Sequence, residues 1–159
     1  MGGSRRAVPL SESTALCGPK VLAHALNITI PEAQALSKWQ ASKGTEPRDM
    51  VSALRKSGYK AVAREHCTVE LLIEFKEAHS NPIVILDYWD DNFRSADGHY
   101  VIFLGLDKDG DIVVWNPDFD TESMTMIRGR FELNWFDYKI DDNGVIYKRM
   151  AIMAYKGEK

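Results

Sequence analysis

Residues 82 to 88 constrain the fold most. Pro82-Ile83-Val84-Ile85-Leu86-Asp87-Tyr88 is a near-continuous β-branched, apolar run. A strand with one wet face alternates apolar and polar side chains, and this one does not, so it is expected to be buried on both faces. Further on, His99 to Leu106 and Ile112 to Trp115 flank Asp107-Lys108-Asp109-Gly110-Asp111. Two apolar runs around a short Asp/Gly loop predict a β-hairpin. Arg130 to Phe136 predicts a short helix and Val145 to Tyr155 a last strand.

The first half has a different period. Gly18-Pro19 puts proline in the first turn of a helix that begins at Cys17, where a missing N–H costs nothing. Val21, Leu22, Ala25 and Leu26 then recur at helical spacing. Thr29-Ile30-Pro31-Glu32 predicts a capping box and a second helix, with Ala33, Leu36 and Trp39 or Gln40 on one side. Thr45 with Pro47 opens a third, which carries Met50, Val51 and Leu54 and stops at Ser57-Gly58. Tyr59 to Arg64 is a short strand, and Thr68 caps a fourth helix buried through Leu71, Leu72 and Phe75. The sum is an α+β domain of N-terminal helices packed on a C-terminal antiparallel sheet.

At 159 residues the chain is one domain, with residues 1 to 9 an extended or flexible arm. A formal net charge of -3 argues against nucleic-acid and anionic-membrane partners. No apolar stretch approaches the ~18 residues of a membrane span. The N-terminus lacks the apolar run of a secretory signal, so a cytoplasmic, reducing location is expected. Cys17 and Cys67 are the two cysteines, too few for a disulfide scaffold and in no zinc spacing. Nothing calls for a cofactor or a metal. The acidic stretch from Asp87 to Asp91 fits no calcium-loop spacing and is expected to be a solvated turn.

A nucleophilic cysteine needs its thiol pKa brought below ~8.5, and a helix N-terminus does this with unpaired N–H groups and its dipole. Cys17-Gly18-Pro19 offers that setting, and the Cys17 N–H is placed to donate to an oxyanion. For a base, His24 lies two turns along the same helix, roughly 10 Å away and too far. His66 and His79 fall at element boundaries among polar residues and are expected to be exposed. His99 opens a strongly apolar strand, which would hold its ring rigidly at a sheet end. The hairpin returns Asn116 to that end, where its amide oxygen can accept from the ring. Asp118, in Asn116-Pro117-Asp118, is a rival for the role. Trp89, Trp115 and Trp135 are expected to be partly buried core, with a peptide groove as the alternative.

Cys17-Gly18-Pro19, Gly98-His99-Tyr100-Val101-Ile102, Gly105-Leu106-Asp107, Gly110 and Asn116-Pro117 together resemble the peptidase C39-like domains, a papain-like group. Lys43-Gly44-Thr45, Leu54-Arg55-Lys56-Ser57-Gly58, Asn81 to Ile85 and Arg130 to Trp135 extend the resemblance over about Leu10 to Tyr155. It implies a papain-like fold and a Cys–His–Asp/Asn triad. Carried over residue by residue, Cys17 is the nucleophile, His99 the base and Asn116 the third member. The family's oxyanion glutamine, about six residues before the cysteine, is Ser11 here, with Glu12 beside it. Losing one such donor costs on the order of 10²–10³ in rate.

The expected activity is a thiol hydrolase acting on a peptide or protein, in the manner of free-standing bacterial relatives that include toxins and effectors delivered between cells. The alternatives are an acyltransferase on the same thioester and a catalytically impaired peptide-binding module.

Overall fold

The computed structural model describes residues 16–40, 44–88, 99–117, 123–139 and 145–158. Three helices come first, α1 (Cys17–Leu26), α2 (Ile30–Leu36) and α3 (Pro47–Lys56). Strand β1 (Lys60–Arg64) and helix α4 (Val69–Ala78) follow, then β2 (His79–Ser80), β3 (Ile83–Tyr88), β4 (His99–Leu106), β5 (Ile112–Trp115) and β6 (Met124–Met126). The chain continues through α5 (Arg128–Asn134), β7 (Phe136–Lys139), β8 (Val145–Lys148), β9 (Met150–Tyr155) and β10 (Gly157–Glu158).

The main sheet has the order β1-β9-β3-β4-β5-β6 and is antiparallel throughout. Strand β3 lies inside it, and Ile83 to Asp87 are all buried. Its side chains alternate between two cores. Ile83 and Ile85 pack with Val21, Leu22, Met50 and Leu54 of α1 and α3. Val84 and Leu86 pack with Val69 and Leu72 of α4, Phe131 of α5 and the following Trp135. The α+β class holds, and the second face of the sheet is covered by α4 and α5.

Local chemistry accounts for the helix ends. The Thr29 hydroxyl accepts from the Glu32 N–H at 3.2 Å, and the Glu32 carboxylate accepts from the Thr29 N–H at 3.0 Å. This is the capping box the sequence predicts. The Thr29 N–H and the Thr29 hydroxyl both donate to the Glu32 carboxylate, and these two bonds hold it below its ordinary pKa. Thr68 caps α4 by accepting from the Leu71 N–H.

Several boundaries depart from expectation. Helix α2 ends at Leu36, so Trp39 and Gln40 lie beyond it, and Gln40 bridges Gly44 instead. The cap position of α3 is Glu46, one residue after Thr45. Leu71 and Phe75 are only half-buried on α4. The late helix starts at Arg128, and Phe136 already belongs to β7. The long last strand is broken at Arg149, whose φ of 48° is left-handed, so β8 pairs with β7 while β9 joins the main sheet. A β-bulge between Phe103 and Gly105 interrupts the hairpin, and Gly105, at φ 141°, supplies backbone other residues rarely adopt.

His79 is not a solvated boundary residue. It stacks on Tyr155 with ring centroids 4.0 Å apart. Among the described residues no helix is long and apolar enough to cross a membrane.

Phe103 is fully buried in the second core. Phe103→Ala should destabilise the fold by about 3–5 kcal/mol, read as a lower urea midpoint with an unchanged slope.

Candidate active site

Buried polar side chains are rare in an apolar interior, because each loses its hydration and needs a protein partner. Among the described residues they are Ser37, Asp87, His99 and Asn116. Ser37 donates to the Ala33 carbonyl at 2.7 Å and so completes its own helix end. The other three gather at one end of the main sheet. Tyr88 is opposite His99 and Asp87 opposite Tyr100, and Asn116 directly follows β5. Asp87 is a strand residue with 1% exposure, not part of a solvated turn.

His99 and Asn116 meet there. His99 Nε2 and Asn116 Oδ1 are 2.9 Å apart, and both side chains are buried. The Asn116 amide is oriented from its other side, where Nδ2 donates to the Met124 thioether at 3.5 Å. An amide that donates to sulfur presents its oxygen to the ring, so Nε2 carries the His99 proton. Nδ1 is then the acceptor nitrogen of the neutral ring.

Cys17 comes from the opposite half of the chain. Helix α1 packs on β4, and Cys17 shares a core with Tyr100 and Ile102. The helix begins at Cys17 and has no acidic side chain in its first turn, so nothing there opposes the positive end of its dipole. Pro19 adds no N–H to the group that must be satisfied at that end.

A second link ties α1 to the hairpin. The His24 and Trp115 rings stack in parallel, 4.0 Å between centroids and 8° between planes. His24 is two turns from Cys17, and its ring packs beside the residue that precedes Asn116. Trp115 is half-buried in this stack, while Trp135 is buried and donates to the Met150 carbonyl at 3.0 Å.

Cys67 has a different setting. It is buried, and its thiol donates to the Arg64 carbonyl at 3.3 Å. Burial pushes that thiol above its ordinary pKa, against smaller opposing effects of the Arg64 charge and an Ala151 backbone hydrogen bond.

Ser11, Glu12, Trp89 and Asp118 lie outside the described residues. His66 is exposed at a left-handed turn. Among the described residues no cluster of His, Cys, Asp or Glu could hold a metal ion. The Asp107 carboxylate accepts from the Asp109 and Asp111 N–H groups, which makes that acidic loop the hairpin turn. Met124 and the His24–Trp115 stack carry no local sequence signal, because each is a contact between separate elements.

The amide orientation is measurable. Neutral His99 should be the Nε2–H tautomer in ¹⁵N spectra, and Asn116→Ala should return it toward a mixture. A wild-type ring dominated by Nδ1–H would contradict the geometry.

No protein-family model matches the chain, and no curated protein matches it. Solved structures do. The peptidase domain of Streptococcus ComA, a bi-functional ABC transporter involved in a quorum-sensing pathway, superposes with a TM-score of 0.64 at 20% identity, covering 89% of this chain and 92% of that one. The peptidase domain of Streptococcus mutans ComA gives 0.57 at 20% identity, covering 87% and 89%. The chain has the fold of the C39 peptidase domains, as its resemblance in sequence implies.

Proposed function

We propose that this protein is a thiol hydrolase that cleaves a peptide or amide bond through Cys17, His99 and Asn116. The observation that carries this is the buried His99–Asn116 hydrogen bond at the end of a strand on which the Cys17 helix packs. Nucleophilic thiol chemistry requires an oriented imidazole beside a cysteine at a helix N-terminus, and the packing of α1 on β4 favours that arrangement. The two ComA structures it resembles are peptidase domains, which favours a peptide as the substrate class.

The cycle follows from the groups present. Cys17 Sγ gives its proton to His99 Nδ1, and the dipole of α1 stabilises the thiolate. The thiolate attacks the carbonyl carbon, the C=O π pair moves onto oxygen, and the Cys17 N–H donates to the oxyanion. As the tetrahedral adduct collapses, the C–N bond breaks and His99 passes its proton to the departing amine. A thioester on Cys17 remains. Water then gives a proton to His99 and adds to the thioester, and the C–S bond breaks to release the acid and restore the thiol. Asn116 holds the ring in the tautomer that keeps Nδ1 toward the chemistry. Being neutral, it stabilises the imidazolium by its dipole alone.

The two cysteines give an internal comparison. Cys17 should be alkylated by iodoacetamide near pH 7 faster than Cys67 by on the order of tenfold or more. With its pKa raised, Cys67 stays a thiol at neutral pH and should react only as the solution becomes alkaline. Equal slow labelling of both would contradict the proposal. In a peptide-hydrolysis assay, Cys17→Ala should lower kcat/KM by on the order of 10³ or more.

A further inference from the structure

The proposed nucleophile and base come from different elements, and a misplacement of ~1 Å between such groups can cost about 10²-fold in rate. Something has to fix the start of α1 against the start of β4. The two residues that follow Cys17 and His99 in sequence, Gly18 and Tyr100, both end on Thr45.

Gly18 lies against the Thr45 side chain. A Cβ added to Gly18 would sit 2.8 Å from Thr45 Cβ and 2.9 Å from its Oγ1, with Met50 Sδ at 3.3 Å. Contacts under 3.0 Å to a branched Cβ cannot be relieved by rotating a side chain. Gly18 lies in the first turn of α1, and its lack of a Cβ is what permits this close approach. From the other side, the Tyr100 hydroxyl donates to the Thr45 carbonyl at 3.0 Å, and Tyr100 is 5% exposed. The Thr45 hydroxyl is buried with no hydrogen-bond partner among the described residues. Its backbone carbonyl and its Cβ make the contacts.

We infer that Thr45, gripped by Gly18 and Tyr100, is a positioning residue that sets Cys17 against His99. This rests on the proposed thiol chemistry. A clamp of this kind governs the alignment of the thiolate with the imidazole, and so the pH at which the thiolate forms, more than the stability of the fold.

The test is the rate of Cys17 alkylation by iodoacetamide against pH, read by mass spectrometry, on four full-length proteins: wild type, Tyr100→Phe, Gly18→Ala and Gly18→Ala/Thr45→Gly. Cys67, at 1% exposure, reports fold integrity in the same samples, since unfolding would expose it. Tyr100→Phe keeps the ring and should lower the neutral-pH rate by roughly three- to tenfold, with the acid limb shifted toward an ordinary thiol, as expected for loss of one hydrogen bond. Gly18→Ala should lose more. Removing Thr45 Cβ in the double variant should recover a substantial part of that loss. In the three variants Cys67 should react no faster than in wild type at any pH.

Variants with the wild-type profile, or a double variant no better than Gly18→Ala, would overturn the clamp while leaving the thiolate intact. Loss of the Cys17 rate only alongside exposure of Cys67 would overturn it as well, by showing a general loss of structure. A wild-type Cys17 that titrates like a free thiol would overturn both the clamp and the chemistry it serves.

Discussion

From Ile83 to Asp87, strand β3 has no solvent face. Its residues Ile83 to Asp87 are buried, with β9 on one edge and β4 on the other. Each side of the sheet must then be covered, and the chain does this with α1 and α3 on one face and α4 with α5 on the other. The position of β4 follows, since it pairs with β3 from Ile85↔Ile102 to Tyr88↔His99. Burial of one apolar strand therefore fixes where the imidazole of His99 sits. At about 25 cal/mol per Å², apolar burial of this kind is the largest favourable contribution a domain of this size has.

At the end of that sheet the core becomes polar. Asp87, His99 and Asn116 are buried among apolar neighbours, where unpaired groups would cost about 1–3 kcal/mol each. The His99–Asn116 bond and the Asn116–Met124 contact offset part of this cost and also fix one tautomer. The pairing that makes burial tolerable also leaves Nδ1 as the nitrogen that the proposed thiol chemistry would use. The His24–Trp115 stack and the Thr45 contacts extend this order to α1.

What could be read in the sequence was what is local. The Thr29–Glu32 box, the Thr68 cap, the apolar run of β3 and the hairpin around Asp107 to Asp111 lie within a few residues of one another, and the structure carries each. The meeting of His99 with Asn116 was also legible, because a hairpin has a fixed return. Three features were not. Arg149 takes a left-handed φ with no glycine to announce it, which divides an apparently continuous strand between two sheets. Asp87 looked like the start of a wet acidic turn because its neighbours in sequence are acidic, yet its neighbours in space are strands. Met124 and Thr45 act through contacts between distant segments, for which no sequence period exists.

The proposed chemistry turns on a covalent acyl intermediate that Cys17 forms with help from His99. It is tested most directly by mixing the protein with an activated peptide ester, quenching in acid and locating any adduct by peptide-level mass spectrometry. A thioester on Cys17 should form and then disappear as free acid accumulates, and it should be nearly absent in His99→Ala. No adduct on Cys17, or an equal adduct in the His99 variant, would contradict it.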